Sequence, residues 1–234
     1  MMRKLIRFLI KTVIWFLVLS NLWVLAYKYL PVPATPLMAI RYFQTDEKAS
    51  IQHHWVAIEQ IAPNLQKAVI CAEDQQFLTH NGFDVAAIKK AREQNKAGKK
   101  LRGASTISQQ TAKNVFLWPH RSWVRKGFEA YFTFLIEMYW SKERILEVYL
   151  NSIEFGPSIY GAQAAAEHWF NTDADKLNRD QALGLAAILP NPLKYRPVAP
   201  TAYIAKRKSW ISQQMYNFGP LDLQSENAKN LGTK

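Results

Sequence analysis

The chain has 234 residues, 49% of them hydrophobic, a formal charge of +12 and a single cysteine. That length holds one membrane anchor and one domain of ordinary size, and leaves no room for a second catalytic domain. Cys71 alone excludes an internal disulfide framework, and the positive charge points to an anionic partner such as an acidic headgroup, a phosphorylated substrate or nucleic acid.

From Thr12 to Tyr27 the sequence carries no charge and is rich in Leu, Val, Trp and Phe. Lys11 and Lys28 bound the run and can snorkel, and Leu5, Ile6, Phe8, Leu9 and Ile10 lengthen it, so a single spanning helix is predicted within residues 1–30. A cleaved signal peptide is the rival reading, but no small-x-small site follows. Arg3, Lys4, Arg7 and Lys11 predict a cytoplasmic N-terminus. Residues 31–35, containing Pro31-Val-Pro33, read as a linker, and residues 36–234 as an exported domain, where a nucleic-acid partner is not expected.

Beyond the linker the patterning is mainly helical, with Ala39 to Gln44 the one short stretch of extended character. Pro63 starts a helix predicted to run to about Thr79, with Leu65, Val69, Ala72, Glu73 and Phe77 along one side. A second helix is predicted from Asp84 to Gln94, followed by a basic loop from Asn95 to Gly103. Thr106 and Gln109 have capping-box spacing, so a helix is predicted from there to Phe116, with Thr106, Gln109, Gln110 and Lys113 on a polar face. Ser122 caps the next, which carries Val124, Phe128, Tyr131, Phe132, Leu135 and Tyr139 on one side and Arg125, Lys126 and Glu129 on another. Ser141 starts a short helix ending near Leu150. Further helices are predicted from Gly161 to Phe170, from Asn178, again with a capping box to Gln181, to Leu189, and from Ala202 to Tyr216. The aromatic and basic stretch from Val115 to Trp140 fits either a bilayer interface or a filled core.

Two groups of residues could carry chemistry. Glu73 beside Asp74 is a general base whose pKa desolvation and like charge would raise, or a solvated helix end. Arg125, Lys126 and Glu129 lie within one helical turn, a geometry for a phosphate or metal-phosphate pair, or for a surface salt bridge.

Taken together, four segments resemble the signatures of the peptidoglycan glycosyltransferase family. Glu73-Asp-Gln-Gln-Phe-Leu-Thr-His-Asn-Gly-Phe-Asp84 matches six fixed positions of the first. Gly103-Ala-Ser-Thr-Ile-Ser-Gln-Gln-Thr-Ala-Lys-Asn114, Arg125-Lys-Gly-Phe-Glu129 and Lys142-Glu-Arg-Ile-Leu-Glu-Val-Tyr-Leu-Asn151 follow in the same order as the rest. Ser108 stands where the family commonly has Thr, Gly156-Pro-Ser158 replaces Gly-x-Gly, and His168-Trp-Phe170 replaces an aromatic pair usually led by Tyr. Neither Ser-x-x-Lys nor Lys-Thr-Gly of a transpeptidase domain occurs, which leaves a monofunctional reading.

The resemblance implies an all-α, lysozyme-like domain with a head and a membrane-dipping jaw, held in the inner membrane and facing the periplasm. It implies polymerisation of lipid II onto a growing lipid-linked glycan strand, with inversion and release of undecaprenyl diphosphate. Glu73 would be the catalytic base, with Asp74 and His80 orienting the site. Lys113, Arg125 and Lys126 would hold the diphosphate, Thr106, Gln110 and Asn114 would donate or accept hydrogen bonds, and Phe77 and Ser105 would complete the substrate site. Glu129 would organise the cations or bind a divalent metal, Mg2+ by its hardness. Arg102 and its loop would close over the strand, or would form a solvated linker. Partners beyond the substrate and the membrane would be other proteins of cell-wall synthesis or division. A lytic glycan-cleaving enzyme and an inactive scaffold are the rival functions.

Overall fold

The computed structural model describes residues 1–44, 51–96, 105–120 and 122–223. Most of the basic loop after Lys96, including Arg102, lies outside the described residues.

Helix α1 (Met2–Tyr29) is 28 residues long, or roughly 42 Å, and it is long and apolar enough to cross a membrane. Its N-terminal half is exposed, whereas Ser20 and Val24 are buried against the domain. The domain begins with α2 (Pro36–Gln44), where the sequence suggests an extended segment. Thr35 and Pro36 account for the difference: the Thr35 hydroxyl accepts from the Met38 N–H at 3.2 Å, and proline at the first helical position is preorganised for the turn.

Helix α3 (Pro63–Glu73) starts at the expected proline but stops six residues short of Thr79. Asp74 leaves helical geometry at φ −159°, ψ 79°, and Phe77 lies in the turn that follows, fully buried. The stop matters for the site because it turns Glu73 and Asp74 in different directions. Helix α4 (Val85–Lys96) follows.

Helices α5 (Ile107–Phe116), α6 (Trp123–Tyr139) and α7 (Lys142–Ser152) form the middle of the domain, α5 packing against both others. Each opens on the predicted cap: Thr106 with Gln109 in a closed capping box, Ser122 accepting from Arg125, and Ser141 from Arg144. On the predicted polar face of α5, Thr106 and Gln109 are buried while Gln110 and Lys113 are half-buried. On α6 the two sides are also redistributed: Arg125 and Glu129 are buried, while Val124 is exposed.

Three short strands, β1 (Gln52–His53), β2 (Glu154–Gly156) and β3 (Ile159–Tyr160), form a small sheet in the order β1-β3-β2. β1 pairs parallel and β2 antiparallel with β3. Ser158, in the β2–β3 turn, adopts the left-handed conformation at φ 60°, which costs a non-glycine residue about 1 kcal/mol. The last position of the Gly-x-Gly pattern thus takes a left-handed conformation here without glycine.

Helices α8 (Ala162–Phe170), α9 (Arg179–Ile188) and α10 (Ala202–Phe218) complete the fold. The second capping box, Asn178 with Gln181, opens α9 as predicted. α9 and α10 pack on each other and on α3, and Leu183, Leu185, Ala186 and Ile188 meet Leu65, Val69, Ile204, Ile211 and Met215 in the buried core. This three-helix layer holds the end of α3 that carries Glu73.

The aromatic stretch is part core and part surface. Phe116, Phe132 and Trp140 are buried, with Phe116 and Phe132 stacked at 4.6 Å. Trp118, Trp123 and Phe134 are exposed. The anchor lies along α6 and completes the layer: Trp23 meets Phe116 edge-on at 5.2 Å, Tyr131 hydrogen-bonds Ser20 at 2.7 Å, and Trp140 Nε1 donates to the Val24 carbonyl at 2.8 Å.

Candidate active site

Three elements converge on the carboxylate of Glu73, whose side chain is only 17% exposed. From α5, Gln110 Nε2 donates to Oε2 at 3.2 Å. From α10, Arg207 Nη2 pairs with Oε1 at 3.1 Å. Tyr149 of α7, whose phenol donates to Gln110 Oε1 at 3.2 Å, turns the amide nitrogen of Gln110 toward the carboxylate. Burial above all, and then the charges of Glu73 and Asp74, hold the Tyr149 phenol well above the ordinary tyrosine range, so it remains a donor.

Burial pushes the Glu73 carboxyl above the usual glutamate range. The Gln110 hydrogen bond and the Arg207 charge oppose the rise, Asp74 adds to it, and Lys113 opposes it. The direction agrees with the sequence expectation. Like charge from Asp74 is nevertheless a minor contributor, and Arg207 was not anticipated.

Asp74 points into the following turn. His80 Nδ1 accepts from the Gly82 N–H at 3.0 Å, so the ring proton sits on Nε2 and is donated to Asp74 at 2.9 Å. Oδ2 of Asp74 also accepts from the Ile107 N–H, the first amide of α5, at 2.9 Å. Thr106 Oγ1 closes the turn by donating to the Gly82 carbonyl at 2.7 Å. Gly82 sits at φ +84°, and a Cβ there would lie 2.7 Å from a Thr133 methyl, so only glycine fits.

Beneath this turn lies a second buried ion pair. Lys142 Nζ is bonded to both oxygens of Glu137 at 2.8 and 2.9 Å and to the His80 carbonyl at 2.6 Å. It sits 4.9 Å from the centre of the Phe77 ring, and Ser108 donates to Glu137. Ser108, one of the departures from the family pattern, thus still supplies the hydroxyl.

The third signature forms a buried charge cluster on α6. Arg125 Nη1 meets Glu129 Oε2 at 3.0 Å with both side chains nearly buried, and Lys126 meets Oε1 from a more exposed position. Arg125 Nε has no hydrogen-bond partner. A surface salt bridge is therefore excluded for the Arg125 pair. Both Glu129 oxygens are engaged by cations, and among the described residues no group of three His, Cys, Asp or Glu is gathered. A divalent cation at Glu129, as expected from the sequence, would share this carboxylate with Arg125 and Lys126 and would take its remaining ligands from a bound diphosphate.

The predicted residues thus separate. Glu73 and Gln110 are in direct contact, with Lys113 electrostatically coupled to them and Asn114 half-buried one turn beyond Gln110. Asp74, His80 and Thr106 build the frame behind Glu73, and Phe77 is enclosed within it. Ser105 is exposed before α5. Tyr149 and Arg207 were missed as site residues, although Tyr149 lies in the fourth signature and Arg207 in the last basic helix. Pro157, His168 and Trp169, from the other two departures, line a separate cavity of about 290 Å³ with Tyr195 and Arg196, away from these groups.

Comparison with known proteins gives this geometry a family. The transglycosylase family model matches residues 40–216. Proteins called biosynthetic peptidoglycan transglycosylase are similar along nearly the whole chain: that of Bacteroides thetaiotaomicron is 50% identical over 99% of this chain and 96% of its own. That of Pseudomonas aeruginosa is 49% identical over 94% of this chain and 96% of its own, and that of Bdellovibrio bacteriovorus 53% identical over 88% and 83%. The match takes in all four signatures and the helices that carry Glu73, Gln110 and Arg207, and the chain belongs to the transglycosylase family.

Proposed function

We propose that the chain is a peptidoglycan glycosyltransferase that extends a lipid-linked glycan strand with lipid II during cell-wall synthesis. The observation that carries this reading is the setting of Glu73. It is a mostly buried carboxylate with a raised pKa, bonded to Gln110 and coupled to Lys113 on α5, and α5 packs on α6, which bears Arg125 and Lys126. Sugar transfer from a diphosphate needs both parts, a proton acceptor for the incoming hydroxyl and positive charge for the leaving group.

In the proposed reaction, the 4-hydroxyl of the acceptor GlcNAc attacks the anomeric carbon of the donor from the face opposite the diphosphate. The proton passes to Glu73, the new C–O bond forms, and the C–O bond to phosphate breaks with its electron pair going to the departing undecaprenyl diphosphate. The anomeric centre inverts. Gln110 and Arg207 hold the carboxylate for this task, and the Asp74–His80 pair fixes the turn from which it projects. Lys113, Arg125 and Lys126 meet the growing phosphate charge, and Asn114 adds a hydrogen bond to it. Glu129 keeps the two α6 cations together. No step is assigned to a metal.

The reading extends to location. The anchor α1 would cross the inner membrane with its basic N-terminus in the cytoplasm and the domain in the periplasm. The lipid tail of the donor strand, which stays in the bilayer, would then lie on the side where α6 exposes Trp123, Val124 and Phe134.

The test is purified full chain in detergent, given labelled lipid II in one arm and preformed glycan in the other. Polymer together with released lipid diphosphate is expected from the first arm, and no shortening in the second. Cleavage of preformed glycan without polymer would contradict the synthase reading in favour of a lytic enzyme.

A further inference from the structure

Helix α10 presents two different flanks beside its buried seam of Ile204, Ile211 and Met215. At about 100° per residue, Tyr203, Arg207, Trp210 and Gln214 fall within an arc of roughly 60° on one flank. Lys208, Ser212 and Tyr216 lie on the other. Two contacts fix where the first flank looks: Arg207 reaches Glu73 at 3.1 Å, and Gln214 accepts from Gln75 at 3.2 Å. Between them along the helix stands Trp210, 45% exposed, and Tyr203, 50% exposed, continues the row. The Tyr203 ring is backed by Tyr195, with centroids 5.2 Å apart. The anchor lies along α6, whereas α10 lies on α3 and α9, so this row is set apart from the anchor's own packing surface.

A half-exposed indole, one helical turn from the arginine that pairs with a buried carboxylate, offers a flat apolar face rimmed by hydrogen-bonding groups. That is the complement of a pyranose ring, whose C–H face is apolar and whose hydroxyls radiate from its edge. Arg207 and Gln214 supply polar groups at either end of the indole. The side of Glu73 matters as well. Gln110 marks the flank toward α5, whose Lys113 meets the leaving diphosphate in the proposed reaction, and Arg207 marks the other. In an inverting displacement the incoming and leaving oxygens lie on opposite faces of the anomeric carbon, so the sugar that brings the nucleophile belongs on the α10 side.

We propose that Trp210, with Tyr203 beyond it, is a stacking subsite for the acceptor sugar of lipid II. The inference rests on the polymerase reading and adds to it the surface that positions the attacking ring.

The experiment measures initial rates of the full chain in detergent against lipid II as acceptor, with a preformed lipid-linked oligosaccharide held in excess as donor. Trp210→Ala and Trp210→Leu are expected to raise the KM for lipid II roughly fivefold with kcat within about twofold, the size of an aromatic contact. Trp210→Phe is expected to restore most of the affinity. Tyr216→Ala, which removes an exposed ring from the other flank, is expected to match wild type. Melting temperatures show whether each variant is folded. A wild-type KM in Trp210→Leu would overturn the stacking role. An unchanged KM with shortened strands at saturating lipid II would assign the ring to the growing strand and overturn the acceptor placement. Wild type that makes no polymer removes the polymerase reading itself, whereas polymer from wild type with unaltered Trp210 variants removes only this inference.

Discussion

Burial lifts the Glu73 pKa by more than Arg207 and Gln110 lower it, which ties the reaction to the stability of the fold. Between the ordinary glutamate pKa and the raised one, the folded chain binds more protons than the unfolded chain, so stability falls as pH rises through that window. The ionised carboxylate is therefore a net cost to the fold at neutral pH, and Glu73→Gln is expected to raise the melting temperature at pH 7 by about 2 °C. The gain should shrink as the pH is lowered toward the ordinary carboxylate range. A lower melting temperature at pH 7 would mean that the Arg207 pair outweighs desolvation. The sequence made Glu73 legible through its place in the first signature. It gave no sign of Arg207, because the contact joins residues 134 positions apart and depends on how α10 settles on α3.

At the scale of single elements, the caps were the most legible feature, since Thr106 with Gln109 and Asn178 with Gln181 satisfy amides within three residues of themselves. The end of α3 was not. An apolar stripe through Glu73 and Phe77 reads as continued helix, but Asp74 instead accepts from His80 and from the first amide of α5, which pulls the chain into a turn. Likewise a local pattern does not reveal that one side of α6 is buried at Arg125 and Glu129. The energetic consequence there is large, because removing one partner strands a buried charge. Glu129→Ala is expected to cost about 3 kcal/mol in denaturant unfolding. Replacing both Arg125 and Glu129 by Met should recover most of that stability while leaving polymerisation lost. Recovery of activity along with stability would mean that the cluster is structural only.

For the molecule as a whole, the anchor is also a packing element. Trp23 and Tyr27 cover Phe116, and Arg144 Nη2 donates to the Tyr27 carbonyl at 2.8 Å. Deleting residues 2–29 should uncover this aromatic layer as well as release the chain from the membrane. The expected result is a domain that melts several degrees lower and self-associates unless detergent is present. A monomeric truncated domain with an unchanged melting temperature would show that the anchor only tethers. The helical class and the spanning helix were readable from apolar runs and caps, whereas the seat of α1 on α6 depends on side chains more than one hundred residues apart.

The most direct test of the central claim is the pH dependence of kcat for lipid II polymerisation, measured for wild type and Glu73→Gln under one detergent condition. The account predicts an acid limb in wild type with an apparent pKa above the ordinary glutamate range, and a loss of about a hundredfold or more in the variant. A variant that keeps a tenth or more of the wild-type rate, with the same acid limb, would contradict the assignment of Glu73 as the base.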